Sequence, residues 1–338
     1  MEKVEGRRNA FAPAAGDVTE SSEAGVAFEA RRPLLYLFAG AALTALVFWY
    51  LQFSTRAICC GDLDGYYHMR WSRLLWEGLR QGSFPPRFTW LPLTTLNPQD
   101  YVDHHLLFHV LQIPFTWFGD MRLGAKISAA LFASLAVISC YWLTLRHRVS
   151  YPVVWLFALL GCSAPFLYRM NMAKAMSVTI VLLIAGLHLL FTRRYLWLLP
   201  LAFVFTLTYD MFALLLLAAG VWTVALLWTE RRVEWRPLAW TIVGVAAGLV
   251  INPYFPLNAK LFAAHVLMKV TASDFATEVG QEWYPYDSWV LFKNNFVAFA
   301  AMLAGYIAFD PRERERDARP LFFLIFSTAL LVANARWR

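Results

Sequence analysis

Apolar and polar positions fall in long blocks along the chain. Residues 1–32 are polar and rich in small side chains, with Glu5-Gly6-Arg7-Arg8 near the start and acids between Asp17 and Glu23. No apolar segment lies among them, so they read as a tail and not as a cleaved leader. The first apolar block, 33–53, follows Arg31-Arg32 and is long enough to cross a ~30 Å hydrocarbon core. Further blocks lie at 124–145, 151–167, 175–192, 195–209, 211–228, 237–252, 289–309 and 320–335. The pattern predicts an all-α polytopic membrane protein of about nine transmembrane helices.

The stretch from Tyr195 to Trp228 decides that number. As one helix it would run ~51 Å at 1.5 Å per residue, too long for a single crossing. A break at Tyr209-Asp210 makes two short helices with a carboxylate at the turn. Charge favours the break, because it puts four basic loops and the tail on one side. These loops carry Arg146/Arg148, Arg193/Arg194, Arg231/Arg232/Arg236 and Arg312/Arg314/Arg316/Arg319. The short loops of the other side hold only Arg169 and Lys174. Basic short loops stay in the cytoplasm, so the amino terminus is expected inside. Two long segments, about 54–123 and 253–288, then face outward, and the membrane domain is expected to run from 33 to 338.

Composition agrees with this reading. Of 338 residues, 59% are hydrophobic and only 16% charged, where soluble domains carry about 25% charged residues. Mean hydropathy is +0.48. Disorder is excluded by the apolar excess, and four cysteines cannot make a disulfide framework. Cys59-Cys60 are neighbours, and a bond between them would be strained; Cys140 and Cys162 lie within apolar blocks and read as packing residues. The net charge of +7 is spread between apolar blocks, which points to membrane topology and not to nucleic acid.

Polar residues beyond what insertion requires carry the functional signal. Most lie in the first outer segment, at Gly61-Asp62-Leu63-Asp64-Gly65-Tyr66-Tyr67-His68-Met69-Arg70 and at Asp103-His104-His105-Leu106-Leu107-Phe108-His109. From Tyr67 the spacing predicts an amphipathic surface helix, with Tyr67, Trp71, Leu74 and Leu75 on one face and Arg70, Arg73, Glu77 and Arg80 elsewhere. Asp64 stands just before it. There it is either an N-cap or a carboxylate aimed at a substrate at the bilayer surface, with Asp62 near enough to share a divalent cation or a proton. A second amphipathic stretch, 103–118, is interrupted by Pro114. His105 and His109 share a face at i, i+4 and suit a metal or a phosphate, or simply face headgroups; Asp103 is a third ligand or a cap. Arg169, Asn171 and Lys174 form a third group, able to bind a lipid phosphate or to anchor a helix end by snorkelling. Asp210 is a turn residue or lines a cavity, and Met170, Met172 and Met176 read as packing. Glu278, Glu282 and Asp287, with Trp283, Tyr284 and Tyr286, fit an aromatic interface belt as well as a site.

The run Asp64-Gly65-Tyr66-Tyr67-His68-Met69-Arg70, directly after a first span, resembles the acidic motif of C-type (GT-C) glycosyltransferases, and most nearly that of oligosaccharyltransferase catalytic subunits. The order of parts is similar too: a cytoplasmic amino terminus, one span, a long outer loop with surface helices, then paired spans joined by basic inner loops. The resemblance implies an enzyme that moves a sugar or oligosaccharide from a polyprenyl-phosphate-type donor to a glycan, lipid or protein acceptor on the outer face. It implies that Asp64 either binds a metal or acts as base; beside it the residues themselves offer Asp62 as a second catalytic carboxylate and Asp64, Asp62, His105 and His109 as candidate ligands should a divalent cation, Mg²⁺ or Mn²⁺, be used. Arg70, Arg169, Lys174 and Arg336 are the expected binders of the carrier phosphate. The family's second acidic pair, on the loop between the third and fourth spans, is replaced here by Asn171 and Lys174. The Trp-Trp-Asp-Tyr-Gly acceptor sequence is absent, so a hydroxyl acceptor is expected in place of asparagine. The last residues, Ala335-Arg336-Trp337-Arg338, fall at the outer end of a span, as in a fragment or a shortened relative. The expected location is the inner (plasma) membrane of a bacterium. The competing classes are a lipid or solute transporter or flippase, which would need broken helices in related halves, and a non-catalytic scaffold of the same fold.

Overall fold

A computed structural model describes residues 18–58, 62–88, 101–271, 287–310 and 317–334. It is all-helical, with no strand among the described residues. Each apolar block becomes helix, for a local reason: apolar backbone must satisfy its own N–H and C=O groups. The first helix, α1 (Val18–Phe53), begins within the polar tail and carries its apolar part from Leu34 onward. In the long segment after it follow α2 (Leu63–Arg80) and α3 (Leu106–Gln112), the latter passing into a 3₁₀ turn, Ile113–Trp117, at Pro114. Proline lacks the N–H that would continue the α-helix, so the interruption lies where the sequence places it.

The long helix α4 (Met121–Arg146) is capped by Asp120, whose Oδ1 accepts the Arg122 N–H at 2.8 Å. Next come α5 (Pro152–Gly161) and α6 (Ala164–Met170), bent by 86° relative to each other, and α7 (Met176–Phe191). The Tyr195–Trp228 block is indeed broken: α8 (Leu198–Thr208) stops at Tyr209, which is extended, and a 3₁₀ turn at Asp210–Phe212 starts α9 (Ala213–Glu230). The remaining helices are α10 (Arg236–Val250), α11 (Leu257–Thr271), α12 (Ser288–Asn294), α13 (Phe296–Ala308) and α14 (Arg319–Asn334), with α12 and α13 bent by 87°.

Helix length limits the count of crossings. Leu34–Phe53, Met121–Arg146 and Asp210–Glu230 are long and apolar enough to cross a membrane, and the two bent pairs bring the number to five. The other four blocks form apolar helices of no more than 17 residues, ~26 Å or less, short of the ~30 Å hydrocarbon core. The breaks that separate neighbouring helices are what shorten them.

Packing forms two main apolar clusters. One joins α7, α8, α9, α10 and α14 around Leu190, Leu198, Phe205, Leu215 and Phe322; the other joins α1, α4 and α5 around Phe48, Ala133, Val137 and Leu156. Close approach of α8 and α10 depends on Gly244 and Gly248, where a Cβ would collide with the Leu199 carbonyl and with Thr206. On this body α2 is seated by Met69 against Ala125, Ala129 and Ala173, and by Trp71 and Leu75 against Phe88.

Candidate functional site

The start of α2 assigns the two acids different roles. Asp62, not Asp64, is the N-cap: its Oδ1 accepts the Gly65 N–H at 3.1 Å. Its Oδ2 accepts the Ala173 N–H at 2.7 Å, which ties α2 to the turn between α6 and α7. Asp62 is only 2% exposed. Burial pushes its carboxyl above the ordinary range, while the Ala173 amide, the Lys174 charge and the Gly65 amide pull the other way. Gly65 is required by this joint, since a Cβ there would lie 2.8 Å from Asp62 Oδ2 and 3.2 Å from the Ala173 Cβ.

Asp64 therefore lies in the first helical turn and not before it, a correction to the position expected from sequence. Its side chain is 58% exposed and pairs with Lys174 Nζ at 2.5 Å, and Lys174 is itself only 12% exposed. The capping alternative for Asp64 falls away because Asp62 fills that position. The buried face of α2 is also turned from the expected one. It consists of Gly65, His68, Met69, Trp71, Ser72, Leu75 and Gly78, while Tyr67 and Leu74 are only partly buried. Period alone could not place His68 and Ser72 inward, since both are polar.

What draws them inward is the opposite segment. His68 Nδ1 and His109 Nε2 are 2.7 Å apart, and Ser72 Oγ donates to Gln112 Oε1 at 3.2 Å. Behind His109, both oxygens of Asp103 lie 2.8 Å from Nδ1. Asp103 also accepts the Trp71 Nε1–H at 2.8 Å and the His105 N–H at 2.9 Å. Burial alone would raise the Asp103 carboxyl; His109, then Trp71 and the His105 amide, outweigh it and hold the carboxyl below its ordinary range. A carboxylate only accepts, so His109 donates its Nδ1–H to Asp103 and turns Nε2 towards His68.

His105 completes the group. One nitrogen from each of His68, His105 and His109 lies within 4.8 Å of the others. The His105 ring stacks on Tyr209, centroids 4.6 Å apart, so the break after α8 supplies one wall. His105 Nδ1 is buried with no hydrogen-bond partner, a condition that costs ~1–3 kcal/mol unless something fills it. Burial, then the neighbouring rings and Lys174, holds His68 and His105 well below the ordinary histidine range, so both are neutral at pH 7. Tyr67, whose ring meets those of His68 and His109, joins its hydroxyl to that of Tyr101 at 2.5 Å; burial raises both phenols.

Asp62, Asp64, Lys174, His105 and His109 thus come together around the start of α2 and α3. Arg70 is exposed on α2, and Arg169 lies at the end of α6, before the turn that carries Lys174. Arg336, Cys59-Cys60 and residues 278–286 lie outside the described residues. Asp287 is described, and caps α12 by accepting the Trp289 and Val290 N–H groups. His68 is the addition to the expected metal set, and Asp103, expected as a third ligand or a cap, stands behind His109 instead. His68 stood inside the quoted motif, and only its register on α2 concealed its meaning.

The donors bear on the expected Mg²⁺ or Mn²⁺. Such hard ions take oxygen ligands. Each oxygen of Asp62 already accepts an amide and Asp64 faces Lys174, while the one group of three or more ligating side chains among the described residues is all imidazole. The carboxylates here do not assemble an oxygen cage. Comparison with protein-family models, with curated proteins and with solved structures finds no match to this chain.

Proposed function

We propose that the chain is an integral membrane glycosyltransferase of the GT-C kind, using a polyprenyl-phosphate-type donor at the outer membrane face. In this reading all nine apolar blocks cross the membrane, the basic loops are cytoplasmic, and 33–338 forms one catalytic membrane domain. The observation that carries the proposal is the division of labour at α2. Asp62 caps the helix, and Asp64 stays solvent-accessible against a nearly buried lysine.

The chemistry follows from that pair. Asp64 takes the proton of an acceptor hydroxyl, and the freed oxygen bonds to the anomeric carbon of the sugar. The bond from that carbon to the lipid phosphate oxygen breaks, and its electron pair leaves with the phosphate. Lys174, assisted by Arg169 and Arg70, offsets the charge on the departing phosphate. A positioned base is worth ~10²–10⁴ in rate.

The test is Asp64→Asn, assayed in membranes for sugar transfer from a polyprenyl-linked donor at matched protein level. Because Asp64 is not the cap, this variant is expected to keep its unfolding temperature and to lose transfer by about 10²–10⁴-fold. Undiminished transfer in Asp64→Asn refutes the assignment.

A further inference from the structure

We propose that His68, His105 and His109 form a binding site for a borderline transition-metal ion, of which Zn²⁺ is the representative, with Asp103 as the carboxylate that orients it. This site stands apart from the glycosyltransferase reading: it needs neither Asp64 nor a sugar donor.

Three observations converge on it. First, three imidazole nitrogens approach within 4.8 Å of one another from two helices. Imidazole sets of this kind favour Zn²⁺, Fe²⁺, Ni²⁺ or Cu²⁺ over Mg²⁺ or Mn²⁺, and three histidines plus an open position is an established zinc arrangement. Second, Asp103 holds His109 by Nδ1, which leaves Nε2 turned to the cluster. A carboxylate behind a ligating ring fixes its tautomer and strengthens it as a donor. Third, His105 Nδ1 is buried without a partner, although His105 stands beside both other rings. A hydrogen-bonded relay accounts for His109 and His68 and leaves that nitrogen unexplained; a metal ion accounts for all three.

The fit requires the rings to shift, since the nitrogens of the group are separated by up to 4.8 Å and the widest pair would close by up to about 1.5 Å. Ligands on one tetrahedral zinc stand about 3.3 Å apart, given Zn–N bonds of about 2.0–2.1 Å. The His68 and His109 nitrogens, now 2.7 Å apart, would open by about 0.6 Å as the shared proton leaves. Lys174 is a cation close by, but its pairing with Asp64 compensates its charge.

The experiment uses the full chain purified in detergent, stripped with a chelator, incubated with ZnCl₂ and desalted, with bound zinc measured by mass spectrometry. One equivalent per chain is expected. His105→Gln and His68→Gln should each weaken zinc binding at least 100-fold, Asp103→Asn about 10–100-fold, and the double variant Asp64→Asn/Lys174→Gln, which removes both charges of that pair, should retain one equivalent. If the histidine variants fail to fold, the wild-type chain loaded with Co²⁺ provides the readout. X-ray absorption should then count three imidazole nitrogens. Substoichiometric zinc in the wild type, full zinc in the histidine variants, or a Co²⁺ shell dominated by carboxylate oxygen overturns the proposal. Zinc lost on Asp64→Asn/Lys174→Gln overturns it too, since the ion would then belong to the carboxylates. The converse case, zinc retained in that double variant and transfer undiminished in Asp64→Asn, upholds this site and refutes the catalytic role of Asp64.

Discussion

Two histidine pairs invite comparison. His68–His109 and His147–His188 are each 41 residues apart in sequence, and each brings ring nitrogens into contact, at 2.7 Å and 3.2 Å respectively. Behind the first pair stands a buried carboxylate, Asp103; behind the second stands a guanidinium, Arg319 Nη1, 3.3 Å from His147 Nδ1. Burial and then Arg319 hold His147 below the ordinary histidine range. The carboxylate orients a ring and makes it a better donor to a cation, whereas the guanidinium repels protons and metal ions alike. Proximity of two imidazoles is common to both ends of the molecule, and the charge behind them separates a candidate site from a packing contact.

The surroundings differ less. The network around α2 links segments far apart in sequence: Asp62 to Ala173, Trp71 to Asp103, Ser72 to Gln112. The arginine-rich loops combine distant pairs, Arg193 with Glu230 and Arg319 with His147, with local ones, Arg232 and Arg236 with Glu234 and Arg319 with Asp317. Three of them end their helices with arginines at positive φ, Arg148, Arg193 and Arg231. Glycine would sit there more easily, but a cation at a helix C-terminus is favoured by the dipole.

The strongest way to break the comparison is to remove one ring from each pair. His109→Ala leaves the Asp103 carboxylate buried without its main partner and should cost about 3–5 kcal/mol in denaturant unfolding. His147→Ala, at a half-exposed position, should cost under about 1 kcal/mol. Equal losses would mean that the carboxylate adds nothing.

Gly65→Ala should cost about 1–3 kcal/mol, because its methyl group enters the joint between Asp62 and Ala173 and must displace one of them. The same substitution at Gly161, where nothing lies within 4 Å of the added carbon, should be neutral or slightly stabilising by thermal unfolding.

In the loop before α10, Glu234 is held down to about 2 by Arg236 and then Arg232, against burial. A carboxylate depressed in the folded state contributes stability above its unfolded range, and loses it as pH falls towards the folded value. Glu234→Gln should therefore lower the unfolding temperature at pH 7. The gap to wild type should narrow below about pH 4.5 and close near 2; a gap independent of pH would assign the effect to packing.

The smallest effect is the most specific. Arg319→Gln removes the cation behind His147 and should raise the His147 pKa, followed by NMR titration of the imidazole, with little change in stability. An unmoved titration would remove the charge argument for the His147–His188 pair.

Sequence by itself determined where the chain is helical and two of its breaks, but not the 86° and 87° bends within 151–167 and 289–309, which were expected as single helices. Apolar runs must satisfy their own backbone, Pro114 ends an α-helical turn, and a 34-residue apolar stretch cannot be one crossing, so the break at Tyr209-Asp210 was legible. The acidic motif at α2 and the i, i+4 relation of His105 and His109 were legible for the same reason: both are local. Only the tertiary structure decided which acid caps. The cap is chosen partly by the Ala173 amide, 111 residues away, and no local pattern reports that partner. Nor could periodicity bring His68 to His109, seat Tyr209 on His105, or put Asp103 behind a ring on the next helix. A buried polar side chain looks in sequence like an exposed one, because its position depends on a partner supplied by another segment.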